Sequence, residues 1–175
     1  IEGRGEFPAN TIWNVHGAYH VELTYPRDVR VAVSNTFPNG LKFIGDAGWI
    51  FVSRGSVATK DPRVARGRLR PLDASDEKLL DPKGVAVQLA QSKEHHENWL
   101  ECVRSRRTPI VPAPIAHRSN TACIVSWIAM KLGRPLTWNP GVERFTNDPE
   151  ANAMLTRVER APYGALRAAK AGARA

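Results

Sequence analysis

Residues 92–140 decide the fold and read SKEHHENWLECVRSRRTPIVPAPIAHRSNTACIVSWIAMKLGRPLTWNP. The first part of this stretch predicts an amphipathic helix over residues 92–106, with Ser92 as its N-cap. Acidic residues lie near the start of this helix and arginines near its end, an arrangement that suits the helix dipole. The side of the helix expected to be buried, at helical spacing, consists of His96, Trp99, Leu100 and Val103.

A second helix is predicted after a connection stiffened by proline. Two prolines within three residues exclude a helix in the connection itself, so we expect the helix to begin near Pro114 or His117 and to end at Leu132. Gly133 suits a left-handed C-cap, after which a proline prevents the helix from resuming. The predicted core positions of this helix are Val125, Ile128, Ala129 and Leu132.

Within the first 55 residues, residues 19–25 and 29–34 alternate between apolar and polar side chains, as half-buried strands do, whereas residues 49–52 are apolar on both faces. They predict one hairpin with strands at residues 19–25 and 29–34, and a second with strands at residues 41–45 and 49–53. Together with the helices, these hairpins indicate an α+β fold: a large, mostly antiparallel open β-sheet with helices packed on one face. The sheet row expected beneath the helices consists of Tyr19, Val21, Leu23 and Tyr25.

The remaining segments are less regular. Residues 56–90 show no clean period and are expected to form long connections, with a short strand near residues 56–59. Asp148 predicts the N-cap of a short helix, with a proline at its first position. We therefore assign residues 1–163 to one α+β domain and residues 164–175 to a low-complexity basic tail with few large apolar groups.

The charge of the chain raises the question of a nucleic-acid partner. The formal net charge is +8 at pH 7, and a basic surface can bind a polyanion. The positive residues are scattered over predicted loops and ends, however, without a recognition helix or an aromatic RNA-binding motif. We interpret them as solvated surface charge and expect no nucleic-acid site.

No apolar run approaches the ~20 residues that a membrane-spanning helix needs, so we expect no membrane partner. No signal-peptide pattern opens the chain either. The expected location is cytoplasmic, or exported if a segment upstream of this sequence carries a signal.

The two cysteines, Cys102 and Cys123, fall within the two predicted helices. We interpret them as buried thiols of a reduced protein, and a disulfide between them is left open as the alternative. No cysteine or histidine spacing indicates zinc, so we expect no metal ligands.

Four residues are candidate substrate ligands. His117 and Arg118 are expected at a helix start, where free backbone N–H groups and two donor side chains suit a hydroxylated or carboxylated ligand. The alternative is that Arg118 pairs with a carboxylate and His117 packs locally. Trp13 and His16 lie in a loop before the first clear strand, where they would either reach a substrate or simply pack the loop.

Five segments, in order along the chain, resemble one known family, the Gfo/Idh/MocA oxidoreductases. Residues 2–8 fit its "EGRGEFP" segment, and residues 98–106 resemble its "NFLDCVRSR" helix. Residues 116–119 are similar to "GHRS", and residues 132–140 to "LGRKLRWDP". Residues 148–163 resemble "DEEANRLLSRPYRAPW". The resemblance spans roughly the first 163 residues.

The resemblance implies a two-domain parent that oxidises or reduces a sugar, inositol or related polyol with NAD or NADP. In that family an N-terminal Rossmann domain binds the cofactor, and an α+β domain completes the substrate pocket and stacks sheet to sheet in dimers or tetramers. This sequence corresponds to the second domain alone. The family's glycine-rich loop and catalytic lysine have no counterpart in it. We therefore expect no catalytic and no cofactor-binding residues here, and no activity without the Rossmann domain.

Two other functions stay open at this stage. The chain could be a stand-alone, non-catalytic binding or assembly module, or a polyanion binder that exploits its net charge. If it self-associates, the free sheet face is expected to carry His20, Glu22, Thr24, Arg30, Ala32 and Ser34, with Ile50 or Phe51 added from the later hairpin.

Overall fold

The computed structural model describes residues 1–64, 66–157 and 159–160. The predicted tail, residues 164–175, lies outside the described residues. The described part is an α+β structure with antiparallel strands and three α-helices. The strands are β1 Glu2–Gly5, β2 Tyr19–Thr24, β3 Arg30–Ser34, β4 Leu41–Gly45, β5 Gly48–Val52, β6 Val57–Ala58, β7 Arg68–Leu69, β8 Leu72–Ala74, β9 Trp138–Asn139 and β10 Arg144–Phe145. The helices are α1 His95–Ser105, α2 Ala113–Leu132 and α3 Pro149–Ala153.

The strands form four small sheets. Their orders are β1-β2-β3, β4-β5-β8, β6-β7 and β10-β9, all antiparallel. Both predicted hairpins are confirmed as β2–β3 and β4–β5, but the described strands do not make the single large sheet that was expected. Strands β3 and β4 do not pair with each other, so each is an edge of its own sheet.

The main core lies between α2 and the first two strands. The α2 residues Val125, Ile128 and Ala129 are buried as predicted, whereas Leu132 is only partly buried. The helix comes close to the sheet because β1 has glycine at Gly3, where a Cβ would lie 3.1 Å from the backbone nitrogen of Met130. The buried residues of this core are Val21, Leu23, Val125, Ile128, Ala129, Met130, Leu136, Phe145 and Ala151.

The caps of α2 and α3 follow the sequence. Gly133 ends α2 with a left-handed backbone, φ 62°, and donates its N–H to Ala129. Asp148 caps α3 by accepting the N–H of Ala151 at 3.0 Å. Arg134 also binds both Asp148 and Glu150. Hydrogen bonds from Arg134, which has the larger effect, and from the Ala151 amide lower the pKa of Asp148 to about 2.

A second, smaller core lies beneath the other three-stranded sheet. It consists of Trp49, Phe51, Val64 and Leu69. Beside it, Asp73 is fully buried and accepts hydrogen bonds from Arg66 and from the backbone and side chain of Arg70. The residues between β5 and α1 therefore fold over one face of this sheet, although they carry no regular hydrophobic period.

Helix α1 differs from the prediction in its surroundings. Trp99, Leu100 and Val103, expected to be buried, are 60%, 42% and 47% exposed. The side of the helix that is covered instead carries Asn98, which accepts the N–H of Ile110 at 3.0 Å, and the buried Cys102. The helix was predicted correctly from its amphipathic pattern, but within the described residues no strand lies beneath its apolar side.

Four further expectations are corrected. Ser92 does not cap α1: the N-cap position is Glu94, and the Ser92 hydroxyl donates to the Glu94 carbonyl. Tyr25 is exposed because it follows the end of β2. Phe51 does not belong to a free sheet face but to the second core. Cys123 is exposed on α2, and both cysteines are free thiols, so no disulfide joins them.

Strand β3 is less covered than its alternation suggests. Val31 and Val33 lie opposite Leu23 and Val21, on the same face of the sheet, yet they are 41% and 40% exposed. Helix α2 packs over β1 and β2 and does not extend to this edge strand. Among the described residues, no helix has both the length and the apolar character required to cross a membrane.

Candidate functional site

The first two turns of α2 present the strongest candidate site. Pro112 at the N-cap position and Pro114 in the first turn start the helix, since neither removes an N–H that the helix needs. Residues 113–120 are exposed, so this end of the helix extends past the core into solvent. His117 and Arg118 therefore lie on a rigid, accessible element, one to two turns from a helix N-terminus.

His117 forms a specific contact with the hairpin of β9 and β10. Its Nε2 lies 2.8 Å from Oε1 of Glu143, and both side chains remain about half exposed. Glu143 is held by a tight turn in which the Asn139 side chain accepts the N–H groups of Gly141 and Val142. The fold thus brings together a histidine and a carboxylate that are 26 residues apart in sequence.

Arg118 is next to this pair and is exposed. Within the described residues we find no ion pair or hydrogen bond that involves its guanidinium, so the predicted alternative of a local carboxylate partner is not what the structure has. A free guanidinium offers several N–H donors in a fixed plane. Together with the His117–Glu143 pair, it provides both donors and acceptors for a ligand with several hydroxyl groups.

The other two predicted residues lie in the loop between β1 and β2. Trp13 is 67% exposed in a turn that Thr11 stabilises, because its hydroxyl accepts the Trp13 N–H at 3.1 Å. His16 is partly buried, with its ring centroid 4.6 Å from that of Tyr19 and 6.2 Å from that of Phe7. Its Nδ1 is buried and has no hydrogen-bond partner among the described residues.

The four predicted residues do not form one site. Phe7, which packs on His16, also lies beneath Lys131, with the lysine Nζ 3.6 Å from the ring centroid. Lys131 comes near the end of α2 and His117 near its start, which separates them by about 21 Å along the helix axis at 1.5 Å per residue. The loop and the helix N-terminus are therefore two separate places on the domain.

A shallow depression that the sequence did not single out lies near the loop. Its volume is about 360 Å³, and it opens on the sheet face opposite α2. Arg4, His20 and Ser34 form one row there across β1, β2 and β3. The polar residues that alternate along residues 19–25 predicted this face of the sheet, but nothing in that pattern indicates a depression.

Part of the positive charge is engaged in ion pairs around the smaller core. Arg63 and Lys42 both donate hydrogen bonds to Asp61. These hydrogen bonds, of which that from Arg63 has the larger effect, hold the pKa of Asp61 well below its usual range. Arg66 and Arg70 bind Asp73. These pairs neutralise part of the positive charge that a nucleic-acid partner would require.

Among the described residues, no group of three or more histidine, cysteine or acidic side chains is close enough together to hold a metal ion. Helices α1, α2 and α3 begin after Glu94, Pro112 and Asp148. None of these three helix starts has the glycine-rich turn with which many proteins bind a dinucleotide pyrophosphate.

Comparison with known proteins identifies the family. A family model described as "Oxidoreductase family, C-terminal alpha/beta domain" matches residues 76–165, which contain His117, Arg118 and Glu143 but neither Trp13 nor His16. Searches of curated proteins and of solved structures find no match. Because the matched segment spans more than half of the 175 residues, the chain belongs to the Gfo/Idh/MocA oxidoreductase family and carries its C-terminal domain.

Proposed function

We propose that this chain is the substrate-binding and oligomerisation domain of an NAD(P)-dependent oxidoreductase that acts on a sugar, inositol or related polyol. The observation that carries the proposal is the family match over residues 76–165, which includes the exposed His117, Arg118 and Glu143. We further propose that NAD or NADP binds a Rossmann domain outside this sequence. The chain by itself is then inactive, because hydride transfer needs the cofactor beside the substrate carbon.

The substrate surface that we propose is the start of α2. A polyol offers alternating hydroxyl donors and acceptors. The Glu143 carboxylate accepts, the Arg118 guanidinium donates, and the His117 ring does either. Because Glu143 holds His117 at 2.8 Å, the ring is oriented before the ligand arrives, which lowers the entropic cost of binding. We assign Trp13 and His16 a secondary role, at the other end of α2.

Substitution of the two central residues tests this surface. The variant His117→Ala/Arg118→Ala should weaken binding of a polyol such as inositol at least tenfold, because it removes charge-assisted hydrogen bonds worth about 1.5–3 kcal/mol each. Binding is measured by ligand-observed NMR over a concentration series. Arg107→Ala, which removes an exposed arginine whose only hydrogen bond within the described residues is to Ser105, is the matched control. Equal binding by all three proteins would contradict the assignment.

The proposed self-association uses a sheet face that carries only apolar side chains. On the side of the β4-β5-β8 sheet away from the smaller core, Leu41, Phe43, Val52 and Leu72 are 65%, 62%, 42% and 52% exposed. Ile50 and Ala74 complete the same face. Such a patch, without charge, suits a self-complementary two-fold interface. The polar face of β2 and β3 predicted for this role remains the alternative surface.

We also propose that the two three-stranded sheets join into one wider sheet in the assembled enzyme. Strands β3 and β4 are both edges, so pairing them would join two three-stranded sheets into the large open sheet typical of the family. Helix α2 would then cover one face of that sheet, and the apolar face of β4, β5 and β8 would be free for a second copy.

Two adjacent residues of β4 provide the test of the stacking surface. Phe43→Lys places a charge on the apolar face and should reduce the association constant at least tenfold, because a buried unpaired charge is costly. Ile44→Lys, at a position that is 72% exposed on the opposite face, should leave association unchanged. Sedimentation velocity at micromolar concentration measures both. If Thr24→Arg/Ala32→Arg reduced association and Phe43→Lys did not, the interface would lie on β2 and β3 instead.

A further inference from the structure

Helix α1 carries a second exposed apolar surface, which the proposed function does not use. Its outer side consists of His96, Trp99, Leu100 and Val103, spaced so that they lie on one face of the helix. We name these four residues the α1 stripe. Trp99 is 60% exposed, although tryptophan is among the residues most often buried or at interfaces. The opposite side of α1 is already covered, so the stripe is the side available to a partner.

An acidic residue lies beside the stripe in the first half of the helix, and a basic residue lies beside it in the second half. Glu97 and Arg104 are seven residues apart, so they occupy nearly the same angular position on the helix, one in each half. The midpoint between these two residues lies between Leu100 and Glu101. One half of the flank is therefore acidic and the other half basic.

This pattern is complementary to itself when two copies of α1 run antiparallel. A two-fold axis through the midpoint places Glu97 of one copy against Arg104 of the other, and this contact occurs twice. The helix dipoles are then also opposed, which is favourable. A parallel arrangement in register would bring acidic ends together and basic ends together. The charges thus specify both the partner, a second copy of this chain, and its direction.

We propose that two copies of the chain associate through their α1 helices, antiparallel, with the stripes in contact and Glu97 paired to Arg104 across the interface. The contact is separate from the sheet face of β4, β5 and β8, so it does not rest on the proposed function. Two distinct two-fold contacts on one chain generate either a closed tetramer or an extended chain of subunits.

The experiment uses charge reversal in full-length chains that also carry Phe43→Lys, so that only α1 association is measured. Glu97→Lys alone and Arg104→Glu alone should each weaken the dimer about tenfold, because each introduces two like-charge contacts per interface. The double variant Glu97→Lys/Arg104→Glu should restore it. A mixture of the two single variants should also restore it, as a heterodimer. Sedimentation velocity from about 1 µM to about 500 µM covers the range of a weak dimer.

Several controls separate the outcomes. Leu100→Asp should abolish the association, with helix content checked by circular dichroism. Ser105→Ala, on the side of the helix away from the stripe, should have no effect on association. The proposal is overturned if the Phe43→Lys chain is monomeric throughout this range, if the single reversals leave the dimer unchanged, or if the mixture fails to restore what each reversal weakens. Failure of the Phe43→Lys substitution to reduce total association would concern only the sheet face.

Discussion

Replacing Asp73 by asparagine should lower the free energy of unfolding by about 3 kcal/mol at pH 7, the size expected when a buried, hydrogen-bonded charge loses its pairing. The side chain is fully buried and accepts hydrogen bonds from Arg66, from the Arg70 backbone at 2.9 Å and from the Ala74 backbone at 3.0 Å. Asparagine keeps the shape but presents an NH₂ group to some of these donors. Urea unfolding measures the change.

The same carboxylate makes stability depend on pH. Burial acts to raise the pKa of Asp73, but the hydrogen bonds from Arg66, Arg70 and Ala74 together outweigh burial and lower the pKa to about 2. A folded-state pKa below the unfolded value of about 3.9 means that the stabilisation is complete above pH 4 and is lost as pH falls toward 2. The asparagine variant should lack this portion of the acid dependence.

Asp28→Asn is the matched control. Asp28 binds Arg30 at 3.2 Å, but both side chains are more than 70% exposed, and such surface pairs contribute little. Its midpoint of unfolding should stay close to that of the wild type. If the Asp73 and Asp28 variants unfolded at the same urea concentration, Asp73 would not have the structural role described here.

Replacing Val125 by aspartate should have a still larger effect, a loss of about 4 kcal/mol or failure to fold. Val125 is 2% exposed in the core between α2 and the sheet, and an unpaired carboxylate there loses its hydration without a partner. Its neighbour Ile124 is 41% exposed on the other side of the same helix. Ile124→Asp should therefore change stability by no more than about 0.5 kcal/mol.

Thermal unfolding followed by circular dichroism distinguishes the two variants. The two substitutions have the same chemistry and nearly the same helix position, so propensity differences largely cancel. Similar melting temperatures for both would show that the buried face of α2 has been assigned incorrectly.

The parts of the fold that the sequence predicted are those with local causes. The strands of the first hairpin follow from alternation, and the second hairpin from the turn at residues 45–48. The left-handed end of α2 follows from Gly133, and the start of α3 from Asp148. Each of these is determined within a few residues. The short strands β7 and β8 were not predicted, because a strand of two or three residues has no measurable period.

What could not be predicted is which surface covers which. The α1 stripe and the buried face of α2 have similar patterns, yet only the α2 face lies on a sheet within the described residues. A periodic apolar stripe shows that a partner exists but does not identify it. The same holds for the candidate site. His117 was recognised from its place at a helix start, whereas its contact with Glu143 depends on a hairpin 26 residues away.

The measurement that tests the central proposal most directly is a parallel titration of this chain with a polyol and with NADH and NADPH. We predict that the polyol binds, that its binding depends on His117 and Arg118, and that neither dinucleotide binds more tightly than about 1 mM, about −4 kcal/mol. Calorimetry or nucleotide fluorescence detects the second part. Saturable dinucleotide binding below that concentration would contradict the proposal, because the chain would then contain the cofactor site that we place outside it.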